Sequence, residues 1–128
     1  MTETRSCGCG IAPKLLYACS GAADVGELCD KAARVLAREG VGKMYCLAGV
    51  GAGIDVMVAN ARSASASLAL DGCAMDCARK TLEKAGVDNI VHLRVSDHGF
   101  EKGKSPVIPE NVERLVSLAR PMLTCRPE

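Results

Sequence analysis

Short apolar runs alternate with amphipathic segments along the chain. Residues 15–18 form an apolar run that breaks at Cys19-Ser20-Gly21, and the segment after it carries Val25, Leu28, Cys29, Ala32 and Leu36 at helical spacing. These signals predict strand, turn and helix in that order. Gly40 and Gly42 close the helix. Residues 44–47 predict a second strand that runs into Gly49-Val50-Gly51-Ala52-Gly53, expected to be a flexible turn. Ile54, Met57, Val58 and Ala61 then share one face of a second predicted helix. A third strand is expected over 67–70, stopping at Asp71-Gly72, followed by a helix over 74–85 ended by Gly86 and a fourth strand over 90–95. After a loop over 98–109, Val112, Leu115, Val116 and Ala119 mark a last helix, entered through Pro109 and stopped by Pro121.

Strands separated by helices require crossovers between parallel neighbours. The pattern therefore predicts an α/β fold, a three-layer sandwich with a mainly parallel sheet of about four strands. A chain of 128 residues, 48% of them hydrophobic, holds one such core and not two. The expected organisation is a flexible N-terminal segment over 1–13, one α/β domain over 14–120 and a C-terminal tail over 121–128.

Charge and composition narrow the function. Sixteen Lys plus Arg against fifteen Asp plus Glu leave a net charge of +1, so there is no field to hold a phosphate backbone or an acidic membrane surface. One Phe, two Tyr and no Trp remove the platforms on which single-stranded nucleic acids stack. No nucleic-acid partner is expected. The longest uncharged stretch, residues 44–54, is short and Gly-rich, and the N-terminal residues lack the apolar middle of a secretory signal, so the expectation is a cytoplasmic protein with no membrane span. Eight cysteines in a reducing compartment point to thiolate chemistry more than to a disulfide framework.

Their positions are informative. Cys19, Cys46 and Cys73 each fall at or just past the carboxyl end of a predicted strand, and parallel strands put those ends on one edge, where open α/β sheets bind ligands. Cys77 follows Cys73 by four residues, an interval that places both on one face of the predicted helix. That face points away from the apolar stripe of Met75, Ala78, Leu82 and Ala85, so core packing explains the pair poorly, whereas Cys29 sits inside its own helix's stripe and reads as a small hydrophobe. The set Cys19, Cys46, Cys73 and Cys77 is thus the candidate for a tetrahedral metal site. Cys7 and Cys9 in CGCG, and Cys125 beyond Pro121, lie near the termini and are weak candidates.

The segment LDGCAMDCARKTLEKAGV, with YACSGAADVGEL and CLAGVGAGI before it, closely resembles the family of small zinc-binding bacterial and archaeal proteins called the DGC domain. The family's four proposed metal-chelating cysteines fall on Cys19, Cys46, Cys73 and Cys77. The resemblance implies zinc binding and supplies no reaction. Asp71 and Gly72 are expected to cap the following helix and to permit a tight turn, while helix amino termini at Cys19 and Cys73 would offset part of the thiolate charge.

Other chemistries use the same residues. Cys73 to Arg79 fits the Cys-x5-Arg spacing of loops whose thiolate attacks an oxyanion, although Asp76 inside that loop repels an anion and Lys80 stands where Ser or Thr is usual. Cys73 and Cys77 also fit a thiol redox pair at a helix start. His92 reads as a packed or edge residue of the fourth strand, and His98, beside Asp97, as a group near the metal edge. The zinc site is accordingly open to three roles: structural, sensing or carrying, and catalytic.

Overall fold

A computed structural model of the chain describes residues 12–124. β1 (Lys14–Ala18), β2 (Lys43–Met44), β3 (Ala66–Asp71) and β4 (Ile90–Arg94) form a wholly parallel sheet in the order β2-β1-β3-β4. The crossovers are α1 (Asp24–Arg38), the pair α2 (Leu47–Gly51) and α3 (Asp55–Ser63), and α4 (Cys77–Lys84). α5 (Pro109–Leu123) follows a 3-10 turn over Val95–His98.

Strand alternation sorts the apolar residues into two cores. Leu16, Leu68, Leu70 and Leu93 pack with Leu28 and Leu36 of α1 and Leu115 and Val116 of α5. Leu15, Tyr17 and Ala69 point the other way, against Val50, Ala61, Ala78 and Leu82 of α2, α3 and α4. Helices on both faces of a parallel sheet make the α/β three-layer sandwich the pattern predicts. Among the described residues no helix is long and apolar enough to cross a membrane.

Local differences from the expected elements have identifiable causes. β2 is only two residues long: Tyr45 N–H still donates to the Leu16 carbonyl at 2.9 Å, but Cys46 then caps a helix and ends the strand. The Gly-rich stretch expected to be a flexible turn is largely that helix, α2. Gly49 serves close packing there, since a Cβ on it would lie 2.0 Å from Met57 Sδ of α3. The helix expected from residue 74 begins at Cys77, because Asp76 adopts a left-handed conformation (φ 53°, ψ 45°) that interrupts it. Met75, expected in the apolar stripe, is therefore in the turn and 63% exposed. Pro121 does not stop the last helix, which continues to Leu123, whose side chain is buried in the α1–α5 core. Near a C-terminus Pro costs one backbone bond and leaves the packing intact. Lys14 Nζ donates to the Leu123 carbonyl and so ties this helix end to the start of β1.

The joint between β3 and α1 has no spare room. A Cβ on Gly72 would lie 2.7 Å from Val25 Cγ2 and 3.0 Å from the Val25 backbone carbon. Gly72→Ala must push α1 off the end of β3, and urea unfolding is expected to show a loss of about 1–3 kcal/mol, the range for overpacking. Unchanged stability would mean that α1 shifts freely there.

Candidate functional site

Parallel pairing gathers the carboxyl ends of β2, β1 and β3 side by side. The chain leaves β1 for β2 on one flank and returns to β3 on the other, so the crevice beyond β1 and β3 is the topological switch point of the sheet. Cys19 sits in it directly after β1, with its N–H donating to the Leu70 carbonyl of β3 at 3.0 Å. Cys19, Cys46 and Cys77 line one open cleft of about 500 Å³, together with Ser20, Tyr45 and Thr81. Cys73, half-buried in the turn after β3, lies within electrostatic reach of Cys29.

Helix termini meet different cysteines from those expected. Cys73 precedes α4 by a full turn, so it does not share a helical face with Cys77. Cys77 itself is the first residue of α4, and Cys46 is the N-cap of α2, its Sγ accepting the Gly49 N–H at 3.2 Å. Cys19 instead draws on its neighbours across the crevice. The Cys29 thiol donates to its sulfur and the Gly72 and Gly21 N–H groups add two further hydrogen bonds, so that, against the effect of burial, the Cys19 thiol is pushed down to about 6. Cys29 shifts the opposite way, raised because its proton is held by Cys19 and because it is fully buried. Helical phase places Cys29 correctly in the core of α1.

A second cluster lies beside the thiols, and the sequence pattern did not isolate it. Asp71, Asp76 and His92 have ligand atoms within 4.8 Å of one another. Asp71 Oδ1 and Oδ2 accept the Ala78 and Arg79 N–H groups at 2.7 and 3.1 Å, capping α4 from the end of β3 as its expected role requires. The same carboxylate accepts His92 Nε2 at 2.9 Å. Asp76, only 2% exposed, accepts Arg94 Nε at 2.8 Å and Arg94 Nη2, and Arg79 Nη2 at 3.0 Å. Three basic side chains and a helix terminus occupy these lone pairs, so the cluster is an ion-pair network that locks β3, β4 and α4 together. Period-two phase carries its signature: Asp71 is in step with Ala69, and His92 and Arg94 with Ile90, all toward the α4 face.

The network also decides how Arg79 is used. Its guanidinium is held by Asp76 and lies 3.7 Å from Glu83, so the Cys-x5-Arg spacing does not present a free cation to an oxyanion. His98 is exposed at the end of the 3-10 turn, where its carbonyl accepts Arg114 Nη2 at 3.3 Å. Cys7, Cys9 and Cys125 fall outside the described residues.

A family model described as the DGC domain matches residues 15–118. A relative from Pseudomonas aeruginosa, named anaerobic and virulence modulator AnvM, is 41% identical over 88 residues, which are 69% of this chain and 67% of that protein. No solved structure matches the chain.

Asp76 gives the network a pH dependence. Its carboxyl is pushed down from 3.8 to about 2, first by the hydrogen bonds from Arg94, with burial opposing and the charges of Arg94 and Arg79 adding. A depressed carboxyl contributes stability that is full above its unfolded value and lost as pH falls through its folded one. Stability is therefore expected to drop between about pH 4 and pH 2 in the native chain. Asp76→Asn is expected to lose about 1–3 kcal/mol at neutral pH, since Arg94 and Arg79 retain access to water, and to show a shallower slope in that acid window. Parallel acid limbs for the two proteins in urea titrations would refute the assignment.

Proposed function

The chain belongs to the DGC-domain family, and on that premise we propose that it is a zinc-binding regulatory protein whose Cys19, Cys46, Cys73 and Cys77 hold one metal ion at the carboxyl edge of the sheet. The observation that carries this reading is one cleft lined by cysteines from three separate crossovers, Cys19, Cys46 and Cys77, whose sulfurs are not gathered within 4.8 Å of one another as the ligand atoms of Asp71, Asp76 and His92 are. Cys73 lies in the turn that joins β3 to α4, next to the same edge. Four thiols match zinc in donor type and number, and backbone N–H groups already directed at two of the sulfurs, Cys19 and Cys46, are the partners that offset thiolate charge.

Zinc bound there would supply a closed cross-link, because four protein ligands leave no position for a substrate. Cys46 and Cys77 bring their sulfurs from helix starts, and the Asp71–Asp76 network fixes the turn that carries Cys73. The Pseudomonas aeruginosa relative is named a modulator. That class suits a chain whose Arg79 is committed to Asp76. A cytoplasmic, reducing compartment suits its free thiols.

Elemental analysis of the purified chain is expected to give about one zinc per chain, a single tetrahedral site. Cys46→Ser, Cys73→Ser or Cys77→Ser should each remove most of it, and Cys29→Ala should not. Full occupancy in Cys73→Ser would reject the four-cysteine set. Chelation is expected to lower Tm by about 10 °C or more, because metal bound only by the folded chain adds directly to folding stability. An unchanged Tm would turn the reading to an exchangeable, carried metal.

A further inference from the structure

A groove of about 690 Å³ lies between α3 and α4, with the last turn of α2 also lining it. It contains none of the cysteines and shares only Gly51 and Thr81 with the cysteine cleft, so nothing about it rests on the zinc reading. Its size falls within the range of small-molecule sites, about 300–1,000 Å³. Asp55, Val58, Ala59 and Arg62 recur at helical spacing and form the α3 wall, while Thr81, Lys84 and Ala85 form the wall opposite.

Charge is unevenly placed along these walls. Arg62 Nε reaches across from α3 and donates to the Ala85 carbonyl at the end of α4 at 2.9 Å. Its guanidinium lies against Gly86, where a Cβ would come within 2.9 Å of Nη2, so the head group is held in one orientation. Arg34, Arg79, Arg94 and Arg120 each hold a carboxylate. Among the described residues no carboxylate pairs with Arg62 or Lys84, and neither Nη of Arg62 has a hydrogen-bond partner. Asp55, the acidic residue of the lining, stands at the start of α3, about 10 Å from Arg62 at 1.5 Å per residue. The groove thus has a cationic end, an anionic end and the apolar side chains of Val50 and Val58.

We propose that this groove is a binding site for a small organic monocarboxylate with an apolar chain. The two Nη groups of Arg62 donate side by side to the carboxylate oxygens, a geometry the planar guanidinium matches, and Lys84 adds a second positive charge from the opposite wall. The apolar chain rests on Val50 and Val58. Asp55 repels a second carboxylate at the far end. Two cations and one acid leave the lining with a net charge of +1, which a single carboxylate neutralises.

The test follows the full ¹⁵N-labelled chain by NMR during titration with hexanoate, hexanamide, adipate and inorganic phosphate. Hexanoate is expected to move the Arg62 Nε–H signal and the amides of Lys84, Ala85 and Gly86 to saturation, and hexanamide to leave them in place. Adipate, with the same six carbons and a second carboxylate, should bind more weakly than hexanoate. Arg62→Gln and Lys84→Gln should each weaken hexanoate about tenfold or more, the loss of a charge-assisted hydrogen bond. Lys84 is exposed, so its replacement leaves the fold intact. No response to hexanoate, an equal response to hexanamide, tighter binding of adipate, or undiminished affinity in Lys84→Gln would overturn the proposal. So would phosphate displacing hexanoate at lower concentration, or shifts centred outside the groove. The comparison of the four probes on the native chain needs no variant to fold.

Discussion

Both neighbours of β1 run parallel to it, and a parallel pair can be connected only by a chain that climbs back over one face of the sheet. With β2 on one flank and β3 on the other, the first return must cross one face and the second the opposite face, so helices cover both. The two cores, the three layers and the crevice beyond β1 are consequences of that single placement. So is the cleft that Cys19, Cys46 and Cys77 share, which no local motif builds. The chain needs no specialised loop to build the cleft, because each crossover begins at the same edge.

The joint between β3 and α4 gives this edge its rigidity. Asp76 holds a left-handed conformation that costs energy for a residue with a Cβ, and it keeps that conformation because Arg94 and Arg79 grip its carboxylate. The bend leaves the start of α4 without an ordinary side-chain cap, and Asp71 supplies one from the neighbouring strand. Strand, turn and helix are thereby fastened by two carboxylates in sequence. Cys73 and Cys77 lie on either side of the bend, so their positions depend on this network although neither belongs to it.

Much of this was legible in the chain itself. Alternation of apolar runs with helical stripes gives the class, the four strands and the parallel edge, and the placement of Cys19, Cys46 and Cys73 at or just past strand ends follows from the pattern alone. What the pattern misplaced were positions decided by contacts distant in sequence. The apolar run at 44–47 reads as a strand, yet Cys46 accepts a helix N–H and turns the chain. The stripe through Met75 reads as helix, yet the pull of Arg94 on Asp76 delays α4 until Cys77. Cys29 is correctly buried by its phase. Periodicity reports which face a residue occupies and is silent on which partner waits there.

An entire crossover separates each of Cys19, Cys46 and Cys73 from the next, so the edge is a late product of folding. During synthesis the first strand and first helix emerge with Cys19 and Cys29 in hand, long before Cys73 and Cys77 exist. The central strand cannot complete its pairing until β3 arrives from the other side of two helices, and such non-local closure is the slow step in parallel sheets. A chain folded only through its first strand and helix therefore holds Cys19 and none of the later edge thiols. Anything that requires all the edge thiols at once responds to a finished molecule, and the cysteine edge becomes a chemical record that the last strands have found their places.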